Sequence, residues 1–281
     1  MFLFPCSLRF FFSFWLRQCL NNLKVIDLSN SRSFAKTPNF SGLPSLERLI
    51  LENCASLADI HQSVGELKKL VFLNLKGCWR LKNLPESISE LKSLETMNLQ
   101  SCASLEKLPE KLGNMKVLTD LLLDDTGVQN LPSSTGILKK LKKLLVRGRC
   151  PGFSLNSACP RLPSNAFHSK ELAIKKQPFL PPSLSGLSSL TTLDISNRHL
   201  SNNDISINLG SLSSLQDLNL AVNDFSELPA GIGNLAKLEK LDLSWCRNLL
   251  FISEIPSGGT LLQIIGKGVN SVKNSAGSVT G

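Results

Sequence analysis

Short bursts of alternating apolar and polar residues recur along the chain. Leu23, Leu46, Leu70, Leu94, Leu118, Leu141, Leu190, Leu215 and Leu238 each open one: LKVIDL, LERLIL, LVFLNL, LETMNL, LTDLLL, LKKLLV, LTTLDI, LQDLNL and LEKLDL. The steps between these anchors are 23, 24, 24, 24, 23, 49, 25 and 23 residues. Alternation of this kind marks a strand, whose successive side chains point to opposite faces. Counting the anchor as position 1, positions 4 and 6 enter a core, and positions 3, 5 and 7 line the opposite face.

Repetition of L-x-x-L-x-L at this period is the leucine-rich-repeat signature and predicts a solenoid. Parallel strands of successive turns stack about 4.8 Å apart. In the third turn Leu67, Leu70, Leu73, Leu75, Leu81, Leu84 and Ile88 point inward. One turn cannot cover its own apolar face, so neighbours must cover it. Leu-Pro pairs at Leu84-Pro85, Leu108-Pro109, Leu131-Pro132 and Leu228-Pro229 plug the core and start the return path, because proline fixes φ. Stretches such as PESISELKSL then carry near-helical apolar spacing, which predicts short helical turns there. The expected fold is α/β: a curved right-handed horseshoe with a parallel concave β-sheet and an irregular or short-helical convex side.

The period divides the chain. Residues 20–149 form a first block of repeats and residues 184–256 a second. Residues 150–183 lose the period and read as a proline-rich, basic insertion; a degenerate repeat around KELAIKK is the alternative. Residues 257–281 read as a flexible Gly/Ser-rich tail without a repeat. Their GKG lacks the flanking residues of a phosphate loop. Residues 1–19 are strongly apolar, yet Arg9 interrupts the run and no small-x-small cleavage site follows, which makes a poor signal peptide. The run is also too short and too charged for a membrane span. It reads as a capping segment or as sequence foreign to the fold.

Eight cysteines form neither a dense disulfide framework nor a zinc pattern. Cys54, Cys78, Cys102 and Cys246 all sit eight residues after an anchor, where other turns carry Ser31, Thr126 or Asn223. Small, weakly polar side chains here are expected to turn inward and bond loop backbone. Unpaired thiols in that arrangement suit a reducing compartment.

The formal charge of +9 permits acidic proteins, nucleic acid or anionic lipid as partners and requires none. The densest basic run, KKLKKL at 139–144, reads as a solvated face beside a buried stripe, since no base-stacking aromatics are interleaved. His61, His168 and His199 are isolated, and no G-x-S-x-G, H-E-x-x-H or dinucleotide fingerprint occurs. Neither catalysis, a cofactor nor a metal is expected.

The outward positions are where specificity would be written. An apolar residue there is informative, because it should face water. Ile50, Phe72, Leu122 and Leu145 are such residues. An acidic pair, Asp120 and Asp124, and a basic pair, Lys143 and Arg147, flank them. With Arg48, Glu52, Asn74, Lys76, Asn98 and Gln100 they define an expected protein-binding surface on the third to sixth turns and the turn before them.

The stretch LKVIDLSNSRSFAKTPNFSGLPSLERLILENCASL, followed by the recurring L-x-x-L-x-L-x-x-C-x-x-L-x-x-LP, resembles the leucine-rich-repeat region of plant intracellular disease-resistance receptors. The likeness runs from about Leu20 to Pro256 and is strongest to the class carrying TIR and nucleotide-binding domains. It implies a cytoplasmic or nuclear protein-binding module in defence signalling. The module would sense pathogen effectors or guarded host proteins and hold the receptor's own domains inactive. The NAD-cleaving site of such receptors lies in the TIR domain, which these residues do not contain, so the chain reads as a fragment, a truncated isoform or an incomplete gene model of such a receptor. Two alternatives stay open. One is a free-standing intracellular scaffold. The other is the ectodomain of a secreted or membrane receptor, though that class resembles a GxIP consensus with many glycosylation sequons, and Asn39-Phe40-Ser41 is the sole sequon here.

Overall fold

The computed structural model describes residues 20–149, 179–205, 207–250, 252, 255–256 and 262–269. Ten three-residue strands form one parallel sheet in strict chain order. They are β1 (Val25–Asp27), β2 (Arg48–Ile50), β3 (Phe72–Asn74), β4 (Thr96–Asn98), β5 (Asp120–Leu122), β6 (Lys143–Leu145), β7 (Thr192–Asp194), β8 (Asp217–Asn219), β9 (Lys240–Asp242) and β10 (Gln263–Ile265). Register is constant, with position 4 always beside position 4: Leu49 pairs with Leu73, Leu73 with Met97 and Met97 with Leu121.

Positions 4 and 6 are the teeth of the core. Leu73, Leu99 and Leu123 are wholly buried, as are the inward residues expected of the third turn, down to Leu84 at 8 % exposure. On the far side the chain returns through short 3-10 segments such as Gln62–Glu66, Glu86–Glu90, Ser133–Ile137 and Pro182–Gly186. Pro85, Pro132 and Pro181 stand immediately before three of them at φ near −60°, the angle the pyrrolidine ring imposes.

Position 8 is a second ladder, invisible in the leucine pattern. Asn30, Asn53, Gly77, Ser101, Asp125, Asn197, Val222, Trp245 and Gly268 all have left-handed backbones there. This kink follows every strand but β6, where Gly148 stands without it, and aims its N–H at the next turn: Asn53 donates to Lys76, Ser101 to Asp124 and Trp245 to Lys267.

One alternative falls, a repeat hidden between the two blocks, and one expectation changes. β6 and β7 are hydrogen-bonded neighbours, Leu144 beside Leu193, so no strand enters the sheet between them. The conformation of 150–178 lies outside the described residues. Beyond Pro256, where the sequence predicts no repeat, β10 pairs with β9 in the common register. Its pattern, LLQIIG, keeps leucine at position 1 and isoleucine at position 4 but has glycine at position 6, which hid the tenth turn.

Candidate functional site

The concave face is built from positions 3, 5 and 7. In six turns position 5 is Asp or Asn, and its side-chain oxygen accepts the N–H two residues on: Asp27 from Ser29, Asn74 from Lys76, Asn98 from Gln100, Asp194 from Ser196, Asn219 from Ala221 and Asp242 from Ser244. These side chains satisfy backbone where each strand ends, a use of Asx residues common in turns. Asn74 and Asn98, expected as recognition residues, thus each give their side-chain oxygen to the scaffold.

Position 7 is tied sideways. Glu52 accepts from Asn74 at 3.0 Å and lies 3.5 Å from the Lys76 ammonium. Gln100 donates to Asp124 at 2.8 Å, and Asp124 also accepts the Arg147 backbone N–H at 3.0 Å, with the Arg147 guanidinium at 3.8 Å. Asn74 and Asp124 are buried, at 7 % and 5 % exposure, so the expectation that they face water fails. The cause is lateral: strands about 4.8 Å apart let each side chain cover its neighbour.

The apolar members behave differently. Ile50, Phe72, Leu122 and Leu145 are half-buried rather than fully exposed. Leu122 and Leu145 are register partners on β5 and β6. Phe72 lies beside Arg48 on β2, whose guanidinium sits 4.0 Å from the ring centroid, within cation–π range. Asp120 accepts from the Thr119 hydroxyl at 2.7 Å, and Lys143 projects outward, exposed. The surface thus has a scaffolded polar framework with an apolar pair at one end and a capped aromatic at the other.

Behind the face runs the position 9 spine. Cys54, Cys78, Cys102 and Cys246 each donate a thiol to the position 6 carbonyl of the preceding turn: Leu28, Leu51, Leu75 and Leu220. Thr126 bonds Leu123 of its own turn, and Asn223 bonds Ile195. Burial raises the thiols of Cys78 and Cys246, and pushes that of Cys102 up to about 12. In the turns flanking the insertion the position belongs to Arg149 and Arg198, which sequence reasoning overlooked. Their offset from Leu141 and Leu190 was the available signal. Arg149 donates to the carbonyls of Asp125 and Ala103, and Arg198 to those of Val146 and Val128. Among the described residues no group of His, Cys, Asp and Glu could hold a metal ion, and no helix is long and apolar enough to cross a membrane.

Comparison with known proteins decides the family. A family model described as disease resistance protein RPS4B-like, leucine-rich repeats, matches residues 90–266. The chain belongs to this disease-resistance leucine-rich-repeat family. A second model, leucine-rich repeat region, matches residues 23–144. TMV resistance protein N of Nicotiana glutinosa is 33% identical over 84% of the chain, which spans 25% of that protein. Disease resistance protein RPS4B of Arabidopsis thaliana is 30% identical over 90% of the chain, which spans 18% of it. The fold also matches a solved structure, the functional domain of InlJ from Listeria monocytogenes, described as including a cysteine ladder. The TM-score is 0.55 at 19% identity, covering 90% of this chain and 48% of that one. The disease-resistance match reaches past the last residue of β10, in keeping with the tenth turn.

Proposed function

We propose that this disease-resistance repeat region is a protein-binding module of a plant immune receptor, and that the concave face around Leu122 and Leu145 takes the partner. The observation that carries the reading is the exchange at position 5. Where six turns hold Asp or Asn against their own backbone, β5 and β6 present leucines side by side. Position 5 outward leucines give no strand-end hydrogen bond and leave apolar surface in contact with water. A partner that covers them recovers that free energy.

The partner is a pathogen effector, a guarded host protein or the receptor's own remaining domains, and contact with the last holds the receptor inactive. The chain works inside the plant cell, in the cytoplasm or nucleus, where buried thiols stay reduced. It performs no chemistry itself, so the purified chain should turn over neither NAD nor nucleoside triphosphates.

The test is association in leaf tissue between this chain and the part of TMV resistance protein N outside the matched quarter. The native chain should co-precipitate with it. Phe72→Ser with Leu122→Ser should abolish association while the melting temperature moves by less than about 5 °C, since both side chains are half-buried. Association unchanged in the double variant rejects the concave face as the contact.

A further inference from the structure

The charges on the concave face of the first seven turns are not evenly spent. Every carboxylate there has a partner within the chain. Asp27 holds Ser29, Glu52 holds Asn74 and Lys76, and Asp120 holds Thr119. Asp124 holds Gln100 and the Arg147 backbone, and Asp194 holds Ser196 and Asn219. The cations are less committed. Arg48 rests on the Phe72 ring with no carboxylate in ion-pair reach among the described residues. Lys143 is exposed, and its register partner Asp120 turns to Thr119 instead. Arg147 is exposed too and lies 3.8 Å from a carboxylate that two other donors already hold. Less committed positive charge therefore stands at both ends of this part of the face, Arg48 on β2 and Lys143 with the loosely paired Arg147 at β6. Four strand spacings, about 19 Å, separate them.

We infer that the concave face selects an acidic polypeptide segment, with carboxylates at two points about 19 Å apart and an aliphatic or aromatic side chain between them. This rests on the concave reading above and adds the chemistry of the partner. Leu122 and Leu145 take the apolar anchor. Lys143 and Arg147 take one carboxylate cluster and Arg48 the other. A segment bearing lysine at those points meets like charge and is rejected, which gives specificity by repulsion as well as attraction. Peptide carboxylates fit better than a nucleic-acid backbone, because the face between the cations carries one aromatic, Phe72, then the polar outward residues of β4 and Leu122 on β5, and offers no row of stacking aromatics.

The experiment uses the full chain and fluorescein-labelled synthetic peptides of three kinds, each with a central Leu-Phe pair: glutamate-flanked, glutamine-flanked and lysine-flanked. Anisotropy gives the affinities. Glutamate-flanked peptides should bind at least about tenfold tighter than glutamine-flanked ones, and lysine-flanked ones should not bind. Raising salt from about 50 to about 500 mM should erase most of that margin. Lys143→Glu with Arg147→Glu should reverse the preference, while Leu122→Ser with Leu145→Ser should weaken both binding classes. If charge reversal leaves the glutamate preference intact while the serine variant abolishes binding, the acidic inference is wrong and the concave reading survives. If neither variant alters binding, or no peptide binds, both are wrong. Equal competition by single-stranded DNA or phosphatidylserine vesicles would show a general polyanion surface and overturn the peptide assignment.

Discussion

Arg198 donates from Nε to the carbonyl of Val146 at 2.6 Å, taking over the bond that Cys78 makes to Leu51 with a thiol at 3.1 Å. The guanidinium then continues one turn further, from Nη1 to Val128 at 2.7 Å, and lies 4.6 Å from the Phe179 ring centroid. A thiol spans one turn boundary; this guanidinium spans two. It does so where the insertion interrupts the return path, so it splices the two blocks of repeats.

Arg198→Ala should therefore destabilise the chain by about 3 kcal/mol, because it strands two carbonyls and removes charged hydrogen bonds. Urea unfolding measures this. Arg198→Lys keeps the charge but has no fork to reach both carbonyls, and should recover less than half the loss. A loss below about 1 kcal/mol in the alanine variant would show that the splice contributes little.

The buried thiols give a pH dependence. Unfolded, a cysteine ionises near its ordinary value of 9.0; folded, Cys102 holds its proton to about 12. Between those values the unfolded chain binds fewer protons than the folded one, so stability is full below 9.0 and falls as pH rises toward 12. Cys78 and Cys246 act in the same direction. Melting temperatures across that range should decline, and Cys102→Ser should flatten the slope. With Cys6, Cys19, Cys150 and Cys159 replaced by serine, Ellman's reagent near neutral pH should label nothing until urea is added.

Val222 is the β-branched residue of the left-handed ladder, at φ 56, where other turns use Asn, Gly, Ser, Asp or Trp. Its Cβ crowds the backbone in that region, at a cost of about 1–2 kcal/mol. Val222→Asn should raise stability by about 1 kcal/mol, and its hydrogen bond from the backbone to Ser244 should persist. Calorimetry decides; a lower melting temperature would mean that the side chain's packing outweighs the strain.

Gly136 marks the closest approach of the convex turns on either side of the insertion. A methyl group there would overlap the Ser183 carbonyl oxygen and its Cβ. Gly136→Ala should cost about 2 kcal/mol through overpacking. Hydrogen exchange should report the loosening first between Ser133–Ile137 and Pro182–Gly186.

The sequence by itself determined the teeth, the period and the faces. Alternation in LVFLNL is a local property, and a shift of one residue would expose every leucine, so the buried state of Leu73 and Leu75 follows from spacing alone. It also carried enough signature to predict the family. What it could not decide was where polar side chains find their partners. Asn74 meets Glu52, Asp124 meets Gln100 and Arg198 meets Val128 at separations of 22, 24 and 70 residues. Those meetings arise only when turns stack, because stacking brings each residue within hydrogen-bond reach of the equivalent positions one or two turns away. For the same reason tertiary structure alone showed LLQIIG to be a tenth turn, and β7 to lie directly against β6 despite the long interval between them.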